Sequence, residues 1–155
     1  MSDMKNWLKH HHACADGYSW ALKSCSTMQN FWDTARPDWL IWVATRKGCL
    51  TDRESWEFAL WSAEQVRHLM TDERSTNALD VRRRWLDGNA TGEEMSAALA
   101  AAGDAVGAAA GDAAGAAAGD AALAAARAAV GAAQAAWLRE NCKPSFEIVT
   151  KEAER

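Results

Sequence analysis

The sequence predicts an all-α protein: a bundle of short capped helices followed by a long Ala/Gly-rich helix or helical hairpin. Three observations carry that prediction. Helix-start punctuation recurs as Ser/Thr-x-x-Glu/Gln boxes at Ser26/Gln29, Thr51/Glu54 and Thr91/Glu94, where the two side chains satisfy orphan N–H groups of a first turn. Between the boxes, apolar residues recur at spacings of three and four, the period of one helical face. No segment sustains the alternation of a strand.

Met4 to Lys23 reads as helix interrupted near Asp16-Gly17, and the box at Ser26 opens the next element. Pro37 suits the first turn of a helix running to about residue 47, which carries Trp39, Leu40, Trp42 and Val43; Gly48 is placed to stop it in the left-handed conformation. From Asp52 to Met70, Trp56, Ala59, Leu60, Ala63, Val66 and Met70 form one stripe of a single central helix. Thr71-Asp72 offers a further N-cap, Ala78, Val81 and Trp85 continue the pattern, and Gly88 ends it. The expected core is Trp39, Trp42, Trp56, Leu60, Ala63, Val66, Leu79 and Trp85.

Eight of the nine tryptophans lie in the first 85 of 155 residues, whereas the stretch after Thr91 is built from alanine and glycine. The change falls at Asp87-Gly88-Asn89, so the chain divides into a Trp-rich helical domain (1–90), an Ala/Gly octad segment (91–141) and an irregular C-terminal tail (142–155), Asn141 and Pro144 ending the last helix. In the octad, Gly103-Asp104, Gly111-Asp112 and Gly119-Asp120 recur with Gly107 and Gly115 halfway between. Five interior glycines oppose a helix by roughly 5 kcal/mol at about 1 kcal/mol each, which alanine only partly offsets. The glycines form a small-residue ridge that lets another backbone approach closely, on this protein or on a second copy. Expansion of a repetitive segment that tolerates any helix-compatible residue is the plainer account of the same pattern.

The chain is long enough to bury a core without disulfides. A formal charge of −4, with Arg82-Arg83-Arg84 the one basic cluster, sets up no field for phosphate backbones, which disfavours nucleic acid. Asp104, Asp112 and Asp120 break the longest apolar stretch, so no membrane span is expected. The N-terminus carries charge where a signal peptide is apolar, and Cys14, Cys25, Cys49 and Cys142 follow no framework spacing. A cytoplasmic protein with free thiols is the expectation.

Candidate chemistry is sparse. His10, His11 and His12 with Cys14 offer soft-metal donors, but adjacent helical residues point about 100° apart, so they cannot converge on one ion. His68 near Asp72 and Glu73 is a candidate base whose plainer role is a partly buried histidine at a helix junction. Cys49 reads as a small core hydrophobe. Phosphate-loop, dinucleotide, nucleophile-elbow and zinc-protease motifs are missing. No catalytic, cofactor-binding or metal residue is assigned; the expected activity is binding of another protein. Tryptophan is enriched at interface hot spots, so Trp32 and Trp61 are the candidates to face a partner or the Ala/Gly helix, and Gly107, Gly111 and Gly115 the candidates for close helix contact.

Cys14-Ala15-Asp16-Gly17, Arg36-Pro37-Asp38-Trp39-Leu40-Ile41-Trp42, and the run from Phe58 through Leu86 to Gly88-Asn89-Ala90-Thr91 resemble the helical immunity proteins of polymorphic-toxin systems, found in phages and bacteria. The resemblance spans about residues 10 to 140 and is structural, carrying no catalytic residue; the octad departs from the bulkier tails of that family. It implies a stoichiometric inhibitor that covers a toxin's active surface. The alternatives are a phage inhibitor of a bacterial defence complex of the anti-CRISPR type, a structural module self-associating through the Ala/Gly helix, and a small enzyme.

Overall fold

The computed structural model describes the backbone of residues 2–65, 67–113 and 120–148, and their side chains outside residue 2 and 103–129. Among the described residues the chain is helical, with no strand. Eight α-helices follow in order: α1 Ser2–His10, α2 Ala15–Ser24, α3 Met28–Thr34, α4 Pro37–Ala44, α5 Asp52–Glu64, α6 Glu73–Leu86, α7 Gly92–Ala113 and α8 Asp120–Asn141, with one 3₁₀ turn at Arg67–Leu69.

Local chemistry sets most of the boundaries. Thr51 and Glu54 form the expected box: the Glu54 carboxylate accepts the Thr51 N–H at 2.9 Å and Thr51 Oγ1 accepts the Glu54 N–H at 3.1 Å. Thr91 and Glu94 repeat it at 2.7 and 3.1 Å. Asp72 caps α6 through the Arg74 N–H, and Gly88, at φ 79°, closes it with the Asn89 N–H reaching back to the Arg84 carbonyl. Other boundaries differ from expectation. The N-terminal break falls at His11–Cys14 and not at Asp16-Gly17, because Cys14 is itself the N-cap of α2. The cap of α3 is Thr27, one residue past Ser26, which seats Met28, Phe31 and Trp32 inward. α4 ends at Ala44, four residues before the left-handed Gly48, which lies in a following turn. The stripe through Met70 is two elements, α5 and the 3₁₀ turn, with Arg67 held off the helix by a bidentate pair to Asp80 at 2.7 and 3.0 Å.

The chain divides into two compact units, and not at residue 90: Met1–Ser55 with Ala126–Arg155 form one, Trp56–Ala125 the other. In the first, Met4, Trp7, Leu8, Phe31, Trp32, Leu40, Val43, Cys49 and Leu138 are the most deeply buried side chains. Trp7 meets Trp42 and Phe146 edge-on, with ring centroids 6.1 and 6.0 Å apart. The C-terminal segment belongs to this unit because four long-range bonds fix it. Arg139 donates to the Trp32 and Ala35 carbonyls at 3.0 and 2.6 Å, satisfying the open end of α3; the Lys143 N–H donates to Glu54 Oε1 at 2.9 Å; the Ser145 N–H donates to the Cys49 carbonyl at 2.8 Å. Residues 142–148 are non-helical, yet Cys142 is buried.

In the second unit α6 packs on α7 through Ala78, Val81, Met95 and Ala98, flanked by Trp85, Ala90 and Ala102. Arg83 of α6 ties back to α5 through Glu57 at 2.9 Å and Glu64 at 3.8 Å. The expected core is therefore only partly the core. Leu60 is buried; Trp39, Trp42, Ala63, Leu79 and Trp85 are half-buried; Trp56 is exposed; Val66 lies outside the described residues. Helical period selects a face but not its depth.

Candidate functional site

Two surface features combine concavity with binding chemistry, one in each unit. In the second unit, Ala59, Leu60 and Ala63 of α5, Ala78, Leu79 and Arg82 of α6 and Leu99 of α7 line a groove of about 200 Å³. Small residues produce it: alanine on the facing turns leaves the walls short, while Leu99, 48% exposed, stands at its edge. The Arg82 guanidinium lies 5.9 Å from the Trp85 ring centroid, and Trp85 meets Trp56 at 4.8 Å. Arg82 has no hydrogen-bonding or ionic partner among the described residues, unlike Arg83 beside it. Groove, cation and exposed indole thus form one strip, and tryptophan and arginine are the residue types that dominate interface energetics.

In the first unit a larger pocket, about 370 Å³, is walled by Leu8, Phe31, Trp39 and Trp42, with His12, Cys14, Arg36 and Asp38 as its polar members. The aromatic walls are braced from behind: Trp20 packs on Phe31 and Trp39 at 5.4 and 5.3 Å, and Trp7 on Trp42. Gly17 makes the wall closable, since a Cβ there would sit 3.2 Å from Cys14 Sγ and 3.5 Å from Trp39. Arg36 stacks on Trp39 at 4.0 Å and pairs with Asp38 through Nε and Nη2, each at 2.7 Å. That pairing holds the Asp38 carboxyl below its usual range.

Of the residues nominated from sequence, Trp32 is corrected: it is 2% exposed, lies against Phe146 at 6.4 Å, and its carbonyl receives Arg139. It is a core residue, not a surface for a partner. Trp61 is half-buried on α5. Gly107 and Gly111 lie on the α7 backbone, but their packing, and Gly115 altogether, fall outside the described residues. Trp56, Arg82 and Leu99 were missed; Arg82 had a signal in the basic triplet, whereas exposure of Leu99 depends on how α5 and α6 meet.

The remaining candidates acquire definite surroundings. His11 packs on Trp7 at 4.2 Å and His10 on His11 at 4.8 Å; burial, then neighbouring His10 and Arg46, push the His11 pKa down. Among the described residues no three His, Cys, Asp or Glu side chains come together to hold a metal ion. His68 is exposed in the 3₁₀ turn and does not secure the helix junction as a partly buried residue. Burial pushes the Cys49 thiol up to about 12 and Cys142 to about 11, reinforced by nearby Glu54, which suits small core hydrophobes. Among the described residues no helix is long and apolar enough to cross a membrane. No protein-family model matches the chain, and neither a curated protein nor a solved structure matches it.

Proposed function

We propose that this chain is a non-enzymatic, stoichiometric inhibitor of another protein, working in the cytoplasm in the manner of an immunity protein against a toxin. The strip formed by the α5–α7 groove, Arg82 and the Trp85–Trp56 pair carries this reading. Leu99 and Trp56 are left with large apolar exposure, and burying them is the main free-energy gain open to this surface. The groove takes aliphatic side chains of a partner, and the uncommitted Arg82 guanidinium takes a carboxylate at its rim. The resemblance of Arg36-Pro37-Asp38-Trp39-Leu40 and its neighbours to immunity proteins points the same way.

Affinity capture from a lysate, comparing wild type with Leu99→Asp and Arg82→Glu as bait, tests it. The expected result is one dominant unrelated protein held one-to-one by wild type and lost from both variants while their melting temperatures stay unchanged. Capture of this chain alone, or of the same protein by all three baits, overturns the reading.

A further inference from the structure

The pocket of the first unit has a non-glycine residue in the left-handed conformation on its lining. α1 ends in a Schellman motif: the His12 N–H donates to the Lys9 carbonyl at 3.1 Å and the Ala13 N–H to the Leu8 carbonyl at 2.9 Å. The residue at the turn must take a left-handed conformation, which glycine adopts without the Cβ penalty. The other left-handed positions among the described residues, Gly48 and Gly88, are glycine; this one is His12, at φ 56°. His12 is exposed on the pocket side, so its imidazole stabilises no core. A non-glycine residue in this region at the rim of a pocket is the kind of outlier that clusters at functional positions.

Asp38, whose carboxylate is about half exposed, takes both guanidinium bonds of Arg36. Arg36 Nε and Nη2 are committed to Asp38, while Nη1 donates to no described residue and is held in place by the stack on Trp39. The pocket groups able to receive a carboxylate are Arg36 Nη1 and an N–H of the His12 imidazole, beside braced indole walls. Its volume of about 370 Å³ lies at the small end of ligand pockets.

From this geometry we infer that the pocket binds a compact aromatic carboxylate, its ring against the half-buried indoles of Trp39 and Trp42 and its carboxylate on Arg36 and His12. The site is separate from the α5–α7 strip, so the two proposals stand or fall independently. The probes are 2-naphthoate and its uncharged isostere 2-naphthalenemethanol, titrated against full-length protein while following the indole N–H resonances assigned by Trp39→Phe and Trp42→Phe. Saturable shifts are expected with the acid and about tenfold weaker binding of the alcohol. Arg36→Gln should abolish the difference between the two. His12→Gly should raise the melting temperature yet weaken the acid several-fold, an outcome that a merely structural histidine does not give. If the acid produces no saturable shift, if acid and alcohol bind wild type alike, or if both variants bind the acid as wild type does, the proposal is wrong. A peptide ending in tryptophan with a free carboxylate, if it binds more tightly than naphthoate, identifies the carrier of this chemistry as a chain terminus instead of a free metabolite.

Discussion

Replacing Glu54 by alanine removes one carboxylate that serves two parts of the chain at once. Its Oε2 accepts the Thr51 N–H at the start of α5, and its Oε1 accepts the Lys143 N–H from a residue 89 positions away. Loss of a helix cap costs about 1 kcal/mol, and a hydrogen bond to a charged acceptor about 1.5–3 kcal/mol, with the lower figure fitting a carboxylate only partly withdrawn from water. The sum is about 2–3 kcal/mol, or roughly 4–12 °C in melting temperature for a chain of this size. pH adds a second signature. Burial pushes the Glu54 pKa up, but the Lys143 and Thr51 backbone N–H groups outweigh it and hold it below the ordinary value. The carboxylate's stabilisation is then fully present above the unfolded value of about 4.3 and lost as pH falls through the lower folded one. Urea unfolding of wild type and Glu54→Ala at neutral pH and at successively lower pH measures both effects. A difference below about 0.5 kcal/mol at neutral pH, within the range of an ordinary surface substitution, or one that persists undiminished in acid, would refute the role assigned to Glu54.

Arg139→Met, which keeps the stem and removes the guanidinium, should destabilise by about 2 kcal/mol by stranding the Trp32 and Ala35 carbonyls; a chemical-denaturation midpoint equal to wild type contradicts this. With a thiol-alkylating reagent under native conditions, Cys14 should react first and Cys25, Cys49 and Cys142 only on unfolding, and intact-mass spectra showing fast modification of two or more sites refute the burial assignments. Gly88→Ala should cost about 1–2 kcal/mol, since nothing lies near the added Cβ and the penalty is purely that of φ 79°; an unchanged thermal melt counts against it. Replacing Gly107, Gly111 and Gly115 together by leucine should lower the melting temperature if the ridge packs closely, although leucine is the better helix former; an equal or higher value removes the packed-ridge expectation.

Sequence alone determined the helical class and those boundaries that neighbouring residues decide. Thr51/Glu54, Thr91/Glu94, Pro37, Asp72 and Gly88 act through atoms within four or five residues of one another, so their spacing is their mechanism. Where two caps compete locally, as Ser26 and Thr27 do, the seating of Phe31 and Trp32 in the core chose between them. The tertiary structure alone decided what the tryptophans do. Trp7 and Trp32 are buried because Phe146 and Arg139 arrive from the far end of the chain, while Trp56 is exposed because α6 and α7 satisfy each other through alanine, valine and methionine. For the same reason the division into units was not legible at residue 90: the bonds from Arg139 and Lys143 span 89 to 107 residues. The pocket left the faintest trace of all, since His12 reads as one of three adjacent histidines until the turn gives it a left-handed backbone, and Arg36 as a flank of Pro37 until Asp38 takes two of its nitrogens. Local hydrogen bonds repeat with a period and can be read in one dimension. Burial depth and the convergence of groups distant in sequence depend on which surfaces meet, and that is settled by packing across the whole chain.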